Sequence, residues 1–120
     1  MDCPKCGAHM ELIDYRGVEI DRCTACGGIW LDAVEPEQLR ARAGAESIDT
    51  GSEIRGEIMN DTDEVDCPRC RTPLVRRPGP GELELDVCPR CHGTYFDAGE
   101  FRRFKTMPMD ELLRALRAGR

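Results

Sequence analysis

A small α+β protein built from two tandem, metal-stabilised units is predicted by three features of the sequence. Eight cysteines fall into four C-x-x-C pairs, Cys3/Cys6, Cys23/Cys26, Cys67/Cys70 and Cys88/Cys91, with none left over. The chain repeats itself: a shift of 64 residues lays Cys3-Pro4-Lys5-Cys6 on Cys67-Pro68-Arg69-Cys70. A shift of 65 lays Asp21, Cys23, Cys26, Gly28, Asp32, Ala33 and Glu35 on Asp86, Cys88, Cys91, Gly93, Asp97, Ala98 and Glu100. Finally, 120 residues hold only 1 Trp, 2 Tyr and 3 Phe, too little bulk for an ordinary shared core.

Each unit opens on a C-x-x-C turn, and a hairpin follows. In the first unit Met10, Leu12, Val18 and Ile20 alternate with polar residues around Arg16-Gly17, the pattern of two strands returning to the second cysteine pair. In the second, Leu74-Val75 and Leu83, Leu85 and Val87 flank a longer Pro78-Gly79-Pro80-Gly81 turn. Short third strands follow at residues 29–31 and 94–96.

A helix should start after each third strand, because Asp32 with Glu35 and Asp97 with Glu100 have the spacing of a capping box. Pro36 fits only the first turn of the first helix, and Gly44 suits its end. Phe101 and Phe104 lie on the second helix, which stops near Pro108. A last amphipathic helix is expected over 108–120, with Met109, Leu112, Leu113 and Leu116 as an apolar stripe that something must cover.

The units therefore read as 1–43 and 67–107, separated by residues 44–66. That middle segment holds eight acids and one base and no clear apolar period, so it is expected to be a flexible, solvated acidic linker. Its net −7 more than accounts for the net −6 of the chain.

The N-terminal Met-Asp-Cys-Pro lacks the basic start and apolar run of a secretory signal, and no stretch suggests a membrane span. A cytoplasmic protein is expected, without membrane partners. In that reducing setting, paired cysteines point to metal or redox chemistry before disulfides.

Two C-x-x-C turns brought together by a hairpin place four sulfurs around one ion, at about 2.3 Å per Zn–S bond. The separation within each unit, residues 7–22 and 71–87, lies in the range of zinc sites. Two Zn2+ ions are therefore expected, one on Cys3, Cys6, Cys23 and Cys26 and one on Cys67, Cys70, Cys88 and Cys91. Such binding contributes roughly 10–16 kcal/mol in small peptides, so the metal would stand in for the missing core. With four protein ligands no position is left for a reactive water, and neither catalysis nor a small-molecule substrate is expected. Gly7 and Gly27 follow the knuckles of the first unit, whereas Arg71 and His92 take those places in the second.

The phrases Met1-Asp-Cys-Pro-Lys-Cys6-Gly and Asp21-Arg-Cys-Thr-Ala-Cys26-Gly-Gly-Ile-Trp-Leu-Asp32, followed by Glu35, recur as far as Cys88-Pro-Arg-Cys91-His-Gly-Thr-Tyr-Phe-Asp97-Ala-Gly-Glu100. They resemble the bacterial zinc-finger family named after transcription factor IIB, over about residues 1–43 and 65–106. The resemblance implies two tandem zinc ribbons and zinc in preference to iron; the name describes the fold and does not imply promoter recognition.

His9 and His92 could replace a cysteine ligand, but each unit already has four thiolates, and a hydrogen-bonding or solvent-facing role fits His92 better. Asp32/Glu35 and Asp97/Glu100 resemble paired catalytic carboxylates, and capping explains the same spacing without a substrate. Trp30, Tyr95 and Phe96 could offer a stacking surface for bases; as plugs beneath the metal they suit so small a unit better.

The halves differ in charge. Residues 67–120 hold eleven bases and seven acids, and residues 1–43 five and eight. Arg69, Arg71, Arg76, Arg77, Arg90, Arg102, Arg103 and Lys105 form a candidate phosphate-binding face, although the acidic segment could fold over it as an internal partner. A protein-docking adaptor linked to transcription is the leading expectation, with the last-helix stripe as a candidate surface. Direct nucleic-acid binding through the second unit is the alternative. A redox-sensing or chaperone-like zinc switch is a third, without the βαβ pattern of thioredoxin-like proteins.

Overall fold

A computed structural model describes residues 1–62, 64–79 and 83–106. In the first repeat, strands β1 (Met10–Tyr15) and β2 (Val18–Cys23) form the expected hairpin. Both turn residues, Arg16 (φ 49°) and Gly17 (φ 89°), have positive φ, which matches the turn to the twist of the strands. The third strand, β3 (Ile29–Leu31), lies antiparallel beside β2. The second repeat supplies β4 (Val75–Pro78), β5 (Glu84–Val87) and β6 (Thr94–Phe96) in the same arrangement.

These strands do not form two separate ribbons. They make one six-stranded sheet in the order β1-β2-β3-β6-β5-β4, joined where β3 pairs with β6. The order is unchanged when the repeats are exchanged, and the central pair, Trp30 opposite Tyr95, consists of equivalent residues. The repeats thus meet as an isologous pair inside one chain, in the manner of a symmetric dimer.

Strand alternation divides the apolar side chains between the two faces of the sheet. One face carries Met10, Trp30, Tyr95 and the cysteines. The other carries Val18, Ile20, Ile29, Leu31, Leu85 and Phe96, covered by Leu39, Ala45, Ile48 and Phe101. Phe96 therefore lies opposite the metal face, packed edge-on against Phe101 with ring centroids 5.5 Å apart, whereas Trp30 and Tyr95 pack with Met10 beneath the cysteines.

Helices α1 (Glu35–Arg40) and α3 (Glu100–Thr106) follow the third strands as expected. The capping box forms only in part: Glu35 Oε1 accepts from Asp32 N, and Glu100 Oε1 from Asp97 N, each at 2.7 Å. The carboxylates of Asp32 and Asp97 turn elsewhere. Helix α1 ends at Arg40, and Gly44 (φ 78°) leads into a 3₁₀ turn, Ala45–Ile48, instead of closing the helix.

The 44–66 segment departs from the tether expected of it. After the 3₁₀ turn it forms α2 (Glu53–Asn60), with the Ser52 hydroxyl accepting from Arg55 N at 3.4 Å. Ala45 and Ile48 are in the core. The Asp49 carboxylate caps α3, accepting from Gly99 N and Arg102 N at 3.0 Å. Gly56 lies so close to the second repeat that a Cβ there would stand 1.9 Å from the Ala98 carbonyl oxygen. Composition averaged over the segment hides a few well-placed apolar residues, and its charge is partly neutralised where Glu46 meets Lys105 (3.5 Å) and Glu53 meets Arg102 (3.8 Å). The expected helix over 108–120, with Met109, Leu112, Leu113 and Leu116, lies outside the described residues.

Candidate metal centres

The sequence brings each set of sulfurs together through four nearly identical turns. In each, the first cysteine's N–H bonds to a carbonyl five residues on: Cys3 to Ala8 (2.7 Å), Cys23 to Gly28 (2.8 Å), Cys67 to Thr72 (2.8 Å) and Cys88 to Gly93 (2.9 Å). Its carbonyl accepts from the residue four positions on, which adopts the left-handed conformation in all four turns. Gly7 (φ 79°) and Gly27 (φ 77°) do so without strain, and Arg71 (φ 61°) and His92 (φ 64°) adopt it as side-chain-bearing residues. The replaced glycines leave the knuckle geometry intact.

Cys3, Cys6, Cys23 and Cys26 form one cluster, and Cys67, Cys70, Cys88 and Cys91 the other, with the sulfurs of each within 4.8 Å of one another. A tetrahedron with Zn–S bonds of about 2.3 Å has sulfurs roughly 3.8 Å apart. Cys3 and Cys26, and Cys67 and Cys91, stand at that 3.8 Å, and Cys6 and Cys23 at 3.3 Å. All eight cysteines are unbridged. Neither His9 nor His92 belongs to a cluster.

The surroundings act on the thiols in both directions: burial leads in raising Cys23, Cys67 and Cys70, the last up to about 12, while hydrogen-bond donors favour the thiolate. Backbone N–H groups point at the first sulfur of three knuckles: Ala25 and Cys26 at Cys23, Arg69 and Cys70 at Cys67, Arg90 and Cys91 at Cys88, all at 3.3–3.4 Å. The shared hydrogen bond with Cys3 brings Cys26 down to about 4, while the same bond and burial raise Cys3. Burial opposes ionisation at Cys88, yet the N–H groups of Cys91 and Arg90 lead the contacts that bring it to about 7. Thiolate is thus favoured at Cys26 and Cys88 and opposed at Cys3, Cys23, Cys67 and Cys70.

Both centres are braced across the repeat boundary. The Lys5 ammonium, between Cys3 and Cys6, lies 2.8 Å from Asp86 and from Asp97. Its equivalent Arg69, between Cys67 and Cys70, reaches Asp21 (3.1 Å) and Asp32 (2.6 Å). Asp21 and Asp32 are the equivalents of Asp86 and Asp97, so the same contact is made twice in opposite directions. The copies differ in burial: Lys5 and Asp97 side chains have no exposure, whereas those of Arg69 and Asp32 are 43% and 44% exposed. This use of the acids was not legible from the repeat alone, which pointed to capping.

Of the basic residues considered for phosphate binding, four are occupied internally. Arg69 holds Asp21 and Asp32, Arg76 meets Glu84 and Asp86 at 3.5 Å, Arg102 binds the Asp49 carbonyl at 2.6 Å, and Lys105 faces Glu46. Arg71, Arg77, Arg90 and Arg103 are exposed and make no ion pair among the described residues. Trp30 and Tyr95 have no exposure and Phe96 only 1%, so these rings offer no face to a base.

A duplicated hairpin with a Cys₄ cluster at its knuckles defines a zinc-ribbon protein, in which each cluster can hold one zinc ion. The family model described as transcription factor zinc-finger, of the transcription factor IIB zinc-ribbon type, matches residues 2–42 and 66–106, and the chain belongs to that family in two tandem copies. No curated protein and no solved structure gives a significant match. Among the described residues, no helix is long and apolar enough to cross a membrane.

Proposed function

We propose that this protein is a non-catalytic cytoplasmic adaptor linked to transcription, in which zinc holds a rigid platform and exposed apolar residues dock another protein. The eight cysteines serve as ligands to two structural ions. The observation that carries the docking reading is on α2, where Ile54 and Ile58 are 72% and 61% exposed. At a separation of four residues they share one side of the helix. Exposed aliphatic pairs on an otherwise charged helix suit a protein partner better than phosphate.

The test is binding by zinc-loaded protein carrying Ile54→Glu with Ile58→Glu. A protein recovered with the wild-type chain should bind it in purified form and lose the variant, while the variant keeps two ions and its melting transition. Unchanged binding by the variant would remove α2 from the reading.

Direct nucleic-acid binding is a second reading, favoured by the exposed and unpaired Arg71, Arg77, Arg90 and Arg103. Titration of labelled DNA and RNA at two salt concentrations decides it. Salt-sensitive binding lost in Arg71→Glu with Arg77→Glu would support it, and no binding at low salt would end it.

A further inference from the structure

We propose that the two zinc centres are unequal: the Tyr95 hydroxyl, supplied by the second repeat, donates to the sulfurs of the first centre and makes that ion the tightly retained one. Tyr95 Oη lies 3.2 Å from Cys3 Sγ and 3.4 Å from Cys26 Sγ, and the side chain has no solvent exposure. A cysteine that holds zinc is a thiolate and has no proton to give, so across these distances the phenol is the donor. The site is shaped for it. Gly28 leaves the space, since a Cβ there would stand 1.8 Å from the Tyr95 oxygen.

The equivalent residue at the second centre cannot do the same. Trp30 lies against Gly93, where a Cβ would come within 2.3 Å of its ring, but its only donor is directed at Asp32 Oδ1, 3.1 Å away. Among the described residues the second centre therefore has backbone N–H donors and no side-chain hydroxyl on its sulfurs. It is also the more open: Cys70 and Cys91 are both half-buried, whereas only Cys6 is in the first centre.

Four thiolates and one divalent ion leave each centre with a formal charge of −2. A hydrogen bond donated to that charge from a dry environment stabilises it where water cannot, and loss of such an outer contact typically costs about 10–100-fold in metal affinity. The first centre thus depends on a residue 92 positions from Cys3, and the second is the exchangeable one.

The inference rests on the reading of two zinc ions per chain, so metal content is measured first; fewer than two ions overturns that reading itself. Zinc release from the loaded full-length protein to excess chromophoric chelator should then show two phases of one ion each. Cys70→Ser, which removes a ligand from the second centre, should delete the fast phase. Tyr95→Phe keeps the ring and removes the hydroxyl, and should accelerate the slow phase by about tenfold or more while leaving the fast phase unchanged. In cobalt-loaded Cys70→Ser protein, the sulfur-to-metal charge-transfer band of the first centre should shift on adding Tyr95→Phe. A slow phase and band unaffected by Tyr95→Phe would overturn the proposal. So would equal acceleration of both phases, which would place the effect in packing and not in the hydroxyl.

Discussion

Trp30 and Tyr95 stand directly opposite one another in the β3–β6 ladder, and each lies against the glycine that follows the other repeat's second cysteine knuckle. Each repeat thus completes the floor of the other's metal centre. Neither unit has a finished core by itself, and the two should fold as one cooperative body.

Removal of metal tests the foundation of the fold. The zinc-loaded protein should show one cooperative melting transition, and a strong chelator should abolish it, because the ions supply a share of stability of the order of a small domain's whole net value. Calorimetry with and without chelator checks this; an unchanged transition would contradict it.

The glycines beneath the two rings should tolerate no side chain. Gly28→Ala and Gly93→Ala would place a Cβ 1.8 Å from Tyr95 Oη and 2.3 Å from the Trp30 ring. Each should destabilise the zinc-loaded protein by about 1–3 kcal/mol, as overpacked cores do. Thermal melts measure the loss, and wild-type stability in either variant would show that the central strands do not meet as described.

The reciprocal ion pairs should differ in worth although they are equivalent by repeat. Lys5→Met strands Asp97 in the interior and leaves Asp86 with Arg76 alone, and should cost about 3–5 kcal/mol. Arg69→Met releases two carboxylates of which Asp32 is 44% exposed, and should cost about 1 kcal/mol or less. Chemical denaturation of the two variants under saturating zinc gives the comparison, and equal losses would refute it.

The middle segment should behave as part of the folded body. Asp49→Ala removes the remote cap of α3 and leaves the N–H groups of Gly99 and Arg102 without their acceptor, at a cost of about 1–2 kcal/mol. Limited proteolysis is the complementary measurement: residues 44–62 should resist cleavage in the wild type and become cut in Asp49→Ala. Rapid cutting there in the zinc-loaded wild type would restore the tether.

Glu100 provides a pH signature. Burial, and then the charge of Asp97, push its carboxyl from 4.5 up to about 8. The folded state therefore holds a proton that the unfolded state has lost between these values. That contribution is fully present below the unfolded value and falls away as pH rises through the folded one. Glu100→Gln cannot ionise, so its stability relative to wild type should improve steadily from about pH 5 to pH 9. Melts of both proteins across this range, at saturating zinc, isolate the difference from metal binding; a constant difference would rule the shift out.

The local parts of the molecule could be read from the chain alone. Cys-x-x-Cys spacing located both clusters, alternation around Arg16-Gly17 located the first hairpin, and Asp32 with Glu35 located the start of a helix. Each of these is written in neighbouring residues, because knuckles, turns and caps are satisfied by backbone groups a few positions away.

Only the tertiary structure decided how the halves meet. That Lys5 reaches Asp97, that Tyr95 serves the sulfurs of Cys3 and Cys26, and that Asp49 caps α3 are contacts between residues 50 or more positions apart. No spacing announces them. They follow from the single registration of β3 on β6, which lets the exposed edge of each short ribbon be satisfied by the other and places each repeat's aromatic ring in the cavity left by its counterpart's glycine.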